Sequence, residues 1–375
     1  MMVFKALKDI AYITMGQSPE SESYNDEEVG MPFFQGNADF GEVYPNTRVW
    51  CSSPKKIAEP GDILISVRAP IGALNYAKER CCIGRGLAAI SIKEEAERNY
   101  VFHLLKAKNK ELNAKGTGST FKAIGKNVLE EIQIPQISAY DKQKCMGIMD
   151  SLESIIRKRR VQLSVLDKLI KARFVEMFDH SEFPMLMIEE LCSDIVDCPH
   201  STPTYEGELK NPAIRTSEIK KGYILWDSMR YVSDDEYEKR VKRLRPKSGD
   251  IVYGREGTFG NAAVLPDGYK FCLGQRVMLL RPDHSKCTSE YLLHAIISDD
   301  VYRQAMGKNN ASTVAHVNVK DVKQFKVPLP PLEKQKIFAS FIKQVDKSKV
   351  VVPSKIKNAI FAIMLSVSFG QITSI

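Results

Sequence analysis

The second half of this sequence loosely repeats the first, and this duplication constrains the fold more than any other feature. Pro60-Gly61-Asp62-Ile63-Leu64 returns as Ser248-Gly249-Asp250-Ile251-Val252. Ile83-Gly84 followed by Arg85 returns as Leu273-Gly274 followed by Gln275 and Arg276. Ser119-Thr120 with a downstream Ile134-Pro135 returns as Ser312-Thr313 with Val327-Pro328. The offset is roughly 190 residues, far beyond the periods of about 20–50 residues found in solenoids and propellers. The repeated unit is therefore a whole domain. A monomer built from two such domains approximates a two-fold axis, the symmetry that a bipartite site on a duplex requires.

A chain of 375 residues is long enough for two domains with sizeable cores. Its 43% hydrophobic and 27% charged residues are those of a soluble globular protein rather than a disordered one. The net charge of +8 permits phosphate binding without requiring it. The eight cysteines form no Cys-x-x-Cys pair and have no histidine at zinc-site spacing. Cys81 and Cys82 are adjacent, a poor geometry for a local disulfide. They read as small buried hydrophobes in a reducing compartment. Met1 to Asp9 lacks the apolar stretch of a signal peptide. The longest apolar run, Ala359 to Phe369, is far short of the roughly 20 residues that span a bilayer. A cytoplasmic protein with no membrane contact is expected.

From Met1 to about Pro135, short β-type runs such as Asp62 to Val67 and Leu87 to Ile92 alternate with Gly, Pro and Asn turns, and Tyr100 to Lys108 reads as a helix. The period changes from Asp141 to Phe178. Leu152, Ile156, Leu163, Leu166, Ile170 and Met177 fall on alternating four-and-three spacing, with Arg159 and Arg173 completing the seam. That pattern predicts a long helix seeking a partner helix. The β-type pattern restarts at Met185, runs through Ile251 to Gly254 and Val277 to Leu280, and closes with Pro328-Leu329-Pro330-Pro331. Glu333 then opens a second helical stretch with Ile337, Phe341 and Val345 on one face. At about 1.5 Å per residue the first helix could reach about 55 Å, more than one turn of DNA.

Leu7-Lys8-Asp9-Ile10 with Gly16-Gln17-Ser18-Pro19 resembles the start of the first recognition domain of a known family, the specificity (S) subunits of type I restriction-modification systems. Cys198-Pro199-His200-Ser201-Thr202-Pro203-Thr204-Tyr205, with Ala213-Ile214-Arg215-Thr216-Ser217-Glu218-Ile219-Lys220-Lys221-Gly222, resembles the start of the second. Ser312-Thr313, His316-Val317-Asn318 and Pro328-Leu329-Pro330-Pro331-Leu332-Glu333-Lys334-Gln335 resemble that family's junction between recognition domain and helix. The first junction, Ile134-Pro135-Gln136-Ile137-Ser138, departs from the Pro-Leu-Pro-Pro form, and Pro353 falls inside the expected second helix. An interior proline costs about 3 kcal/mol and removes a hydrogen bond.

The resemblance implies an α+β chain of two tandem mixed α/β target recognition domains. Each is followed by a long helix, and the two helices pair as an antiparallel coiled coil with pseudo-two-fold symmetry. The expected limits are 1–138 for the first domain, 139–180 for the first spacer helix, 181–332 for the second domain and 333–375 for the second helix, kinked or broken at Pro353. It also implies a non-catalytic subunit that reads double-stranded DNA and docks methyltransferase (M) and restriction (R) subunits. No cofactor is expected on this chain; S-adenosylmethionine, ATP and Mg²⁺ belong to those partners.

The motifs of catalysis are missing. No Asn-Pro-Pro-Tyr or Asp-Pro-Pro-Tyr motif for adenine methyl transfer occurs, and Gly118 and Gly125-Lys126 do not have the spacing of a phosphate-binding loop. Pro282-Asp283 with distant Asp321-Val322-Lys323 spells a short metal-dependent nuclease signature, so a standalone Mg²⁺ nuclease is one alternative. An assembly-defective or silent specificity subunit is another. The expected metal content is none.

For DNA reading, Lys and Arg supply phosphate attraction, while Arg suits guanine and Asn or Gln suits adenine. The candidates are Gln35, Asn37, Arg68, Arg85, Ser119 and Thr120 in the first domain. In the second they are Arg215, Thr216, Ser217, Lys220, Arg255, Arg276, Ser312 and His316. Arg68 and Arg255 directly follow predicted strands, where a salt bridge over the sheet is an equal alternative. Ser119-Thr120 and Ser312-Thr313 also suit turns or helix caps. The spacer and partner-binding candidates are Leu152, Ile156, Leu163, Leu166, Ile170, Ile337, Phe341 and Val345.

Overall fold

The structure is a computed structural model that describes residues 3–118, 122–178, 183–206, 211–256, 260–307 and 317–349. The chain divides into two compact units, one within residues 1–159 and one within 160–350.

The first unit opens with β1 (Val3–Ala6), α1 (Leu7–Ile10) and β2 (Ala11–Met15). Eight strands follow: β3 (Tyr24–Asn25), β4 (Met31–Phe34), β5 (Trp50–Cys51), β6 (Ile57–Ala58), β7 (Ile63–Ser66), β8 (Leu74–Tyr76), β9 (Cys81–Ile83) and β10 (Leu87–Ile92). Helices α2 (Arg98–Ala107), α3 (Asn109–Ala114) and α4 (Lys126–Glu130) lead to β11 (Gln133–Gln136), which pairs back on β1. One sheet has the order β2-β10-β7-β8 and a second the order β3-β5-β4-β9-β6. Strand β7 is covered on both faces, which is why it is apolar without alternation. Ile63 and Ile65 join the core made with Val101, Leu105 and Leu129, whereas Leu64 joins Phe34, Ile83 and Leu87 on the other face.

The second unit repeats this plan. Its strands are β12 (Met185–Met187), β13 (Cys192–Asp197), β14 (Asn211–Ile214), β15 (Arg230–Val232), β16 (Ile251–Gly254), β17 (Ala262–Val264), β18 (Cys272–Leu273), β19 (Val277–Pro282) and β20 (Lys326–Pro328). The sheet orders are β13-β19-β16-β17 and β15-β14-β18, and β12 pairs with β20 as β1 does with β11.

The duplicated Gly-Asp motif builds the same turn twice. Gly61 and Gly249 both have φ of +88°, a region costly for any side chain. Asp62 accepts a hydrogen bond from the Glu59 N–H at 2.9 Å, and Asp250 accepts one from Lys247 at 2.8 Å. Both aspartates are buried, so each turn must keep its carboxylate satisfied.

Helix α5 spans Ala139–Phe178 and contributes residues to both units. Ser138 starts it as a cap: its hydroxyl accepts the Asp141 N–H at 3.1 Å. All eight seam positions from Leu152 to Met177 are less exposed than Ile155, Val161, Val165 and Leu169 between them. In the first unit Cys145 and Met149 of this helix are buried, and Lys106 of α2 pairs with Glu153 at 2.6 Å.

The remaining helices, α6 (Asp234–Arg240), α7 (Ser289–Ile296), α8 (Asp299–Gly307), α9 (Val319–Lys323) and α10 (Leu332–Ser348), belong to the second unit. Phe174 and Phe178 of α5 meet Phe338 of α10 at ring distances of 5.5 and 5.3 Å. Farther along, Asp167 pairs with Lys349 at 2.9 Å, so the two segments run in opposite directions along this contact. Sequence spacing places Ile337, Phe341 and Val345 on one face of α10. In the structure the buried face of this helix carries Gln335, Phe338, Ile342 and Val345; Phe341 is partly buried and Ile337 is 56% exposed. The large Phe338 ring fills the space between Phe174 and Phe178 and sets the helix rotation. Pro353 lies outside the described residues.

His294 of α7 sits between Phe174 and Phe338, with ring distances of 6.1 and 5.4 Å. Burial pushes its pKa down to about 4, with Lys349 adding to the fall and Asp167 opposing it. The folded state therefore refuses a proton that the unfolded state accepts near pH 6.5. Stability from this group is unchanged above about pH 6.5 and falls as pH drops toward 4, by at most about 3 kcal/mol. The difference in urea midpoint between wild type and His294→Leu should be constant above pH 6.5 and should change between pH 6.5 and 4. The variant should lose less stability on acidification. Parallel curves for the two proteins would contradict this.

Candidate nucleic-acid interface

In each unit, two adjacent parallel strands end side by side and deliver polar side chains to one place. In the first unit they are β4 and β9, with Phe33 opposite Cys82 and Phe34 opposite Ile83. Gln35 follows one strand, and Gly84 and Arg85 follow the other. A Cβ on Gly84 would lie 2.2 Å from the Gln35 amide oxygen and 3.1 Å from the Gln35 Cα, so glycine lets the two strand ends approach with the Gln35 side chain lying across them. The Gln35 amide hydrogen-bonds the Ser18 hydroxyl at 3.0 Å, and the same hydroxyl accepts from the Arg85 backbone N–H at 3.4 Å. Asn37 is half-buried and opens a short 3₁₀ turn whose Asp39 caps the Gln35 N–H at 2.8 Å. Arg68 joins this group because Val67 donates to the Gly86 carbonyl at 2.9 Å. Arg68 and Arg85 are exposed and have no ion pair among the described residues. The structure thus gathers Gln35, Asn37, Arg68 and Arg85 at one end of the unit.

In the second unit β14 and β18 take the same places, with Ala213 opposite Cys272 and Ile214 opposite Leu273. Arg215 follows the first, and Gly274, Gln275 and Arg276 follow the second. A Cβ on Gly274 would lie 2.6 Å from the Ile214 carbonyl oxygen, so the two chain ends approach as closely as in the first unit. The side chains, however, are engaged differently. Glu218, fully buried, accepts from the Arg215 side chain at 2.9 and 2.5 Å and from its backbone N–H at 3.1 Å. Ser217 and Ser228 donate to the same carboxylate at 2.7 and 3.2 Å.

Thr216 lies in the turn, accepting from the Ile219 N–H at 3.3 Å, and Lys220 is half-buried beside it. Arg255, the counterpart of Arg68, is 7% exposed and pairs with Asp197 at 2.9 Å. Arg276 has φ of +65° and pairs with Glu256 at 2.8 Å. Ser119, Thr120, Ser312 and His316 lie outside the described residues.

Leu152, Ile156, Leu163 and Leu166 lie half-buried along the seam of α5, and Ile170 is buried in the second core. The basic run Arg157 to Arg160 lies on the same helix, with Arg157 3.8 Å from Glu42. Asp283 and Asp321 of the nuclease signature serve local turns: Asp283 accepts from Ser285, and Asn318 donates to Asp321 at 3.2 Å. Among the described residues, no group of three His, Cys, Asp or Glu is placed to hold a metal ion, and no helix is long and apolar enough to cross a membrane. Glu218 stands inside the second-domain motif and Asp197 just before it, but neither takes a role from the sequence, being acidic residues among many. Their importance comes from burial alone.

The model of the type I restriction modification DNA specificity domain matches residues 1–164 and 202–361. The chain belongs to this family. The curated relatives that the chain matches carry the name of type I restriction enzyme specificity subunits. The chain is 44% identical to the MjaX specificity subunit of Methanocaldococcus jannaschii over 163 residues, 42% of this chain and 38% of that subunit. It thus spans well under half the length of that relative. It is 21% identical to the MjaIX specificity subunit of the same organism over 98% of this chain and 93% of the relative. Among solved structures, the HsdS subunit of Thermoanaerobacter tengcongensis is 40% identical over 43% of this chain and 40% of that one, with a TM-score of 0.39.

Proposed function

We propose that this chain is the DNA-targeting subunit of a type I restriction-modification complex, with each unit reading one half of a bipartite duplex target. The observation that carries this reading is the duplicated strand-pair end, which presents Gln35, Arg68 and Arg85 in one unit and, beyond an Arg215 held by Glu218, Arg276 in the other. Side chains with amide or guanidinium edges on a rigid sheet end are suited to base edges and phosphates.

Helices α5 and α10 form the antiparallel coiled-coil spacer in this reading, giving the whole subunit a pseudo-two-fold axis. The aromatic contacts of Phe174 and Phe178 with Phe338 support that pairing. The domain limits are those of the sequence reading: 1–138 and 181–332 for the recognition domains, with spacers between and after. The spacer docks M and R subunits, and these carry S-adenosylmethionine, ATP and Mg²⁺. A single-molecule methylation map of the native host, with the gene intact and deleted, tests this. A split adenine-methylation motif should vanish on deletion; an unchanged methylome would count against the proposal.

A further inference from the structure

Five guanidinium groups cluster near the sheet β15-β14-β18, and four of them are engaged by the protein itself. Arg215 is held by Glu218 and by the Ser228 carbonyl at 3.0 Å. Arg255 is held by Asp197 and Arg276 by Glu256. Arg240, 6% exposed, donates to the Leu273 carbonyl at 2.9 Å and to Ser201. The fifth, Arg230, is exposed at the start of β15, opposite Ala213. Its guanidinium lies over the Tyr205 ring, 5.0 Å from the centroid, and that of Arg215 lies 5.8 Å from the same ring. No carboxylate pairs with Arg230 among the described residues.

Stacking holds the plane of a guanidinium without using its N–H edges. All five donors of Arg230 therefore remain available, while the ring and the edge strand limit the conformations it must give up on binding. A fork fixed in this way matches the paired acceptors O6 and N7 of guanine, the commonest specific contact of arginine in the major groove. Arg215, one of the candidates named from the sequence, instead positions the turn through the buried carboxylate of Glu218.

We propose that Arg230, backed by Tyr205, reads a guanine in the half-site of the second unit. This inference rests on the DNA-targeting reading above.

The test uses the full chain purified with its methyltransferase subunits, a library of random duplexes and sequencing of the methylated products. Wild type, Arg230→Lys, Arg230→Ala and Tyr205→Leu are compared at several salt concentrations. Both Arg230 variants should relax one guanine position by about five- to a hundredfold. The other half-motif should be unchanged, and Tyr205→Leu should give a smaller loss at the same position.

A phosphate contact would instead survive in Arg230→Lys. In Arg230→Ala it would appear as uniform weakening with a shallower salt dependence, and that result would overturn the base-reading role. An unchanged motif in all three variants would also overturn it while leaving DNA targeting intact. If wild type itself yields no split motif, the DNA-targeting reading fails first.

Discussion

Replacing Glu218 by alanine is expected to destabilise the second unit by about 3 kcal/mol, toward the low end of the range for breaking a buried ion pair. The carboxylate is fully buried and gathers the Arg215 side chain, its backbone N–H and the hydroxyls of Ser217 and Ser228. Its removal strands a guanidinium and several donors together. Arg215 itself retains 24% exposure, so water recovers part of the loss. Glu218→Gln keeps the shape and some acceptor capacity, and should cost less. Because the same bonds shape the turn after β14, Glu218→Ala should also weaken DNA targeting by the second unit. Denaturant midpoints of the two variants check the energetic part. Equal stability of wild type and Glu218→Ala would contradict it.

The features of this fold that were legible in the sequence are local ones. Gly61-Asp62 and Gly249-Asp250 announce their turn because a positive φ needs glycine, and the carboxylate finds its N–H only three residues away. The seam of α5 could be read because each of its positions follows from helical spacing, and the sheltered residues follow that line from Leu152 to Met177. The rotation of α10 could not be read in the same way. Ile337 and Phe338 both suit an inner face, and the choice was made by the aromatic space between Phe174 and Phe178. Nor could the difference between Arg68 and Arg255 be read. Both follow a strand, but Asp197 stands at the end of β13, whereas Met15 ends the matching strand β2. The strand-end arginine is thus exposed in one unit and buried in the other.

The second large effect expected is a change of specificity confined to half of the target. Met185 pairs with Pro328, and Leu329 donates to the Pro184 carbonyl at 2.8 Å, so the two ends of the segment Met185–Leu332 lie together. An exchange at these points cuts the chain where its ends meet and leaves α5 and all of α10 after its first residue in place. The incoming segment must still cover Phe178 and Phe338, as Tyr291 and His294 do here. A donor that keeps aromatic rings at those positions avoids a core cavity costing about 3–5 kcal/mol.

The measurement that tests one unit per half-site most directly is the methylome of cells carrying this exchanged subunit. The account predicts that one half of the split motif is replaced while the other is retained. Simultaneous change of both halves, or no change in either from a folded and assembled chimera, would contradict it.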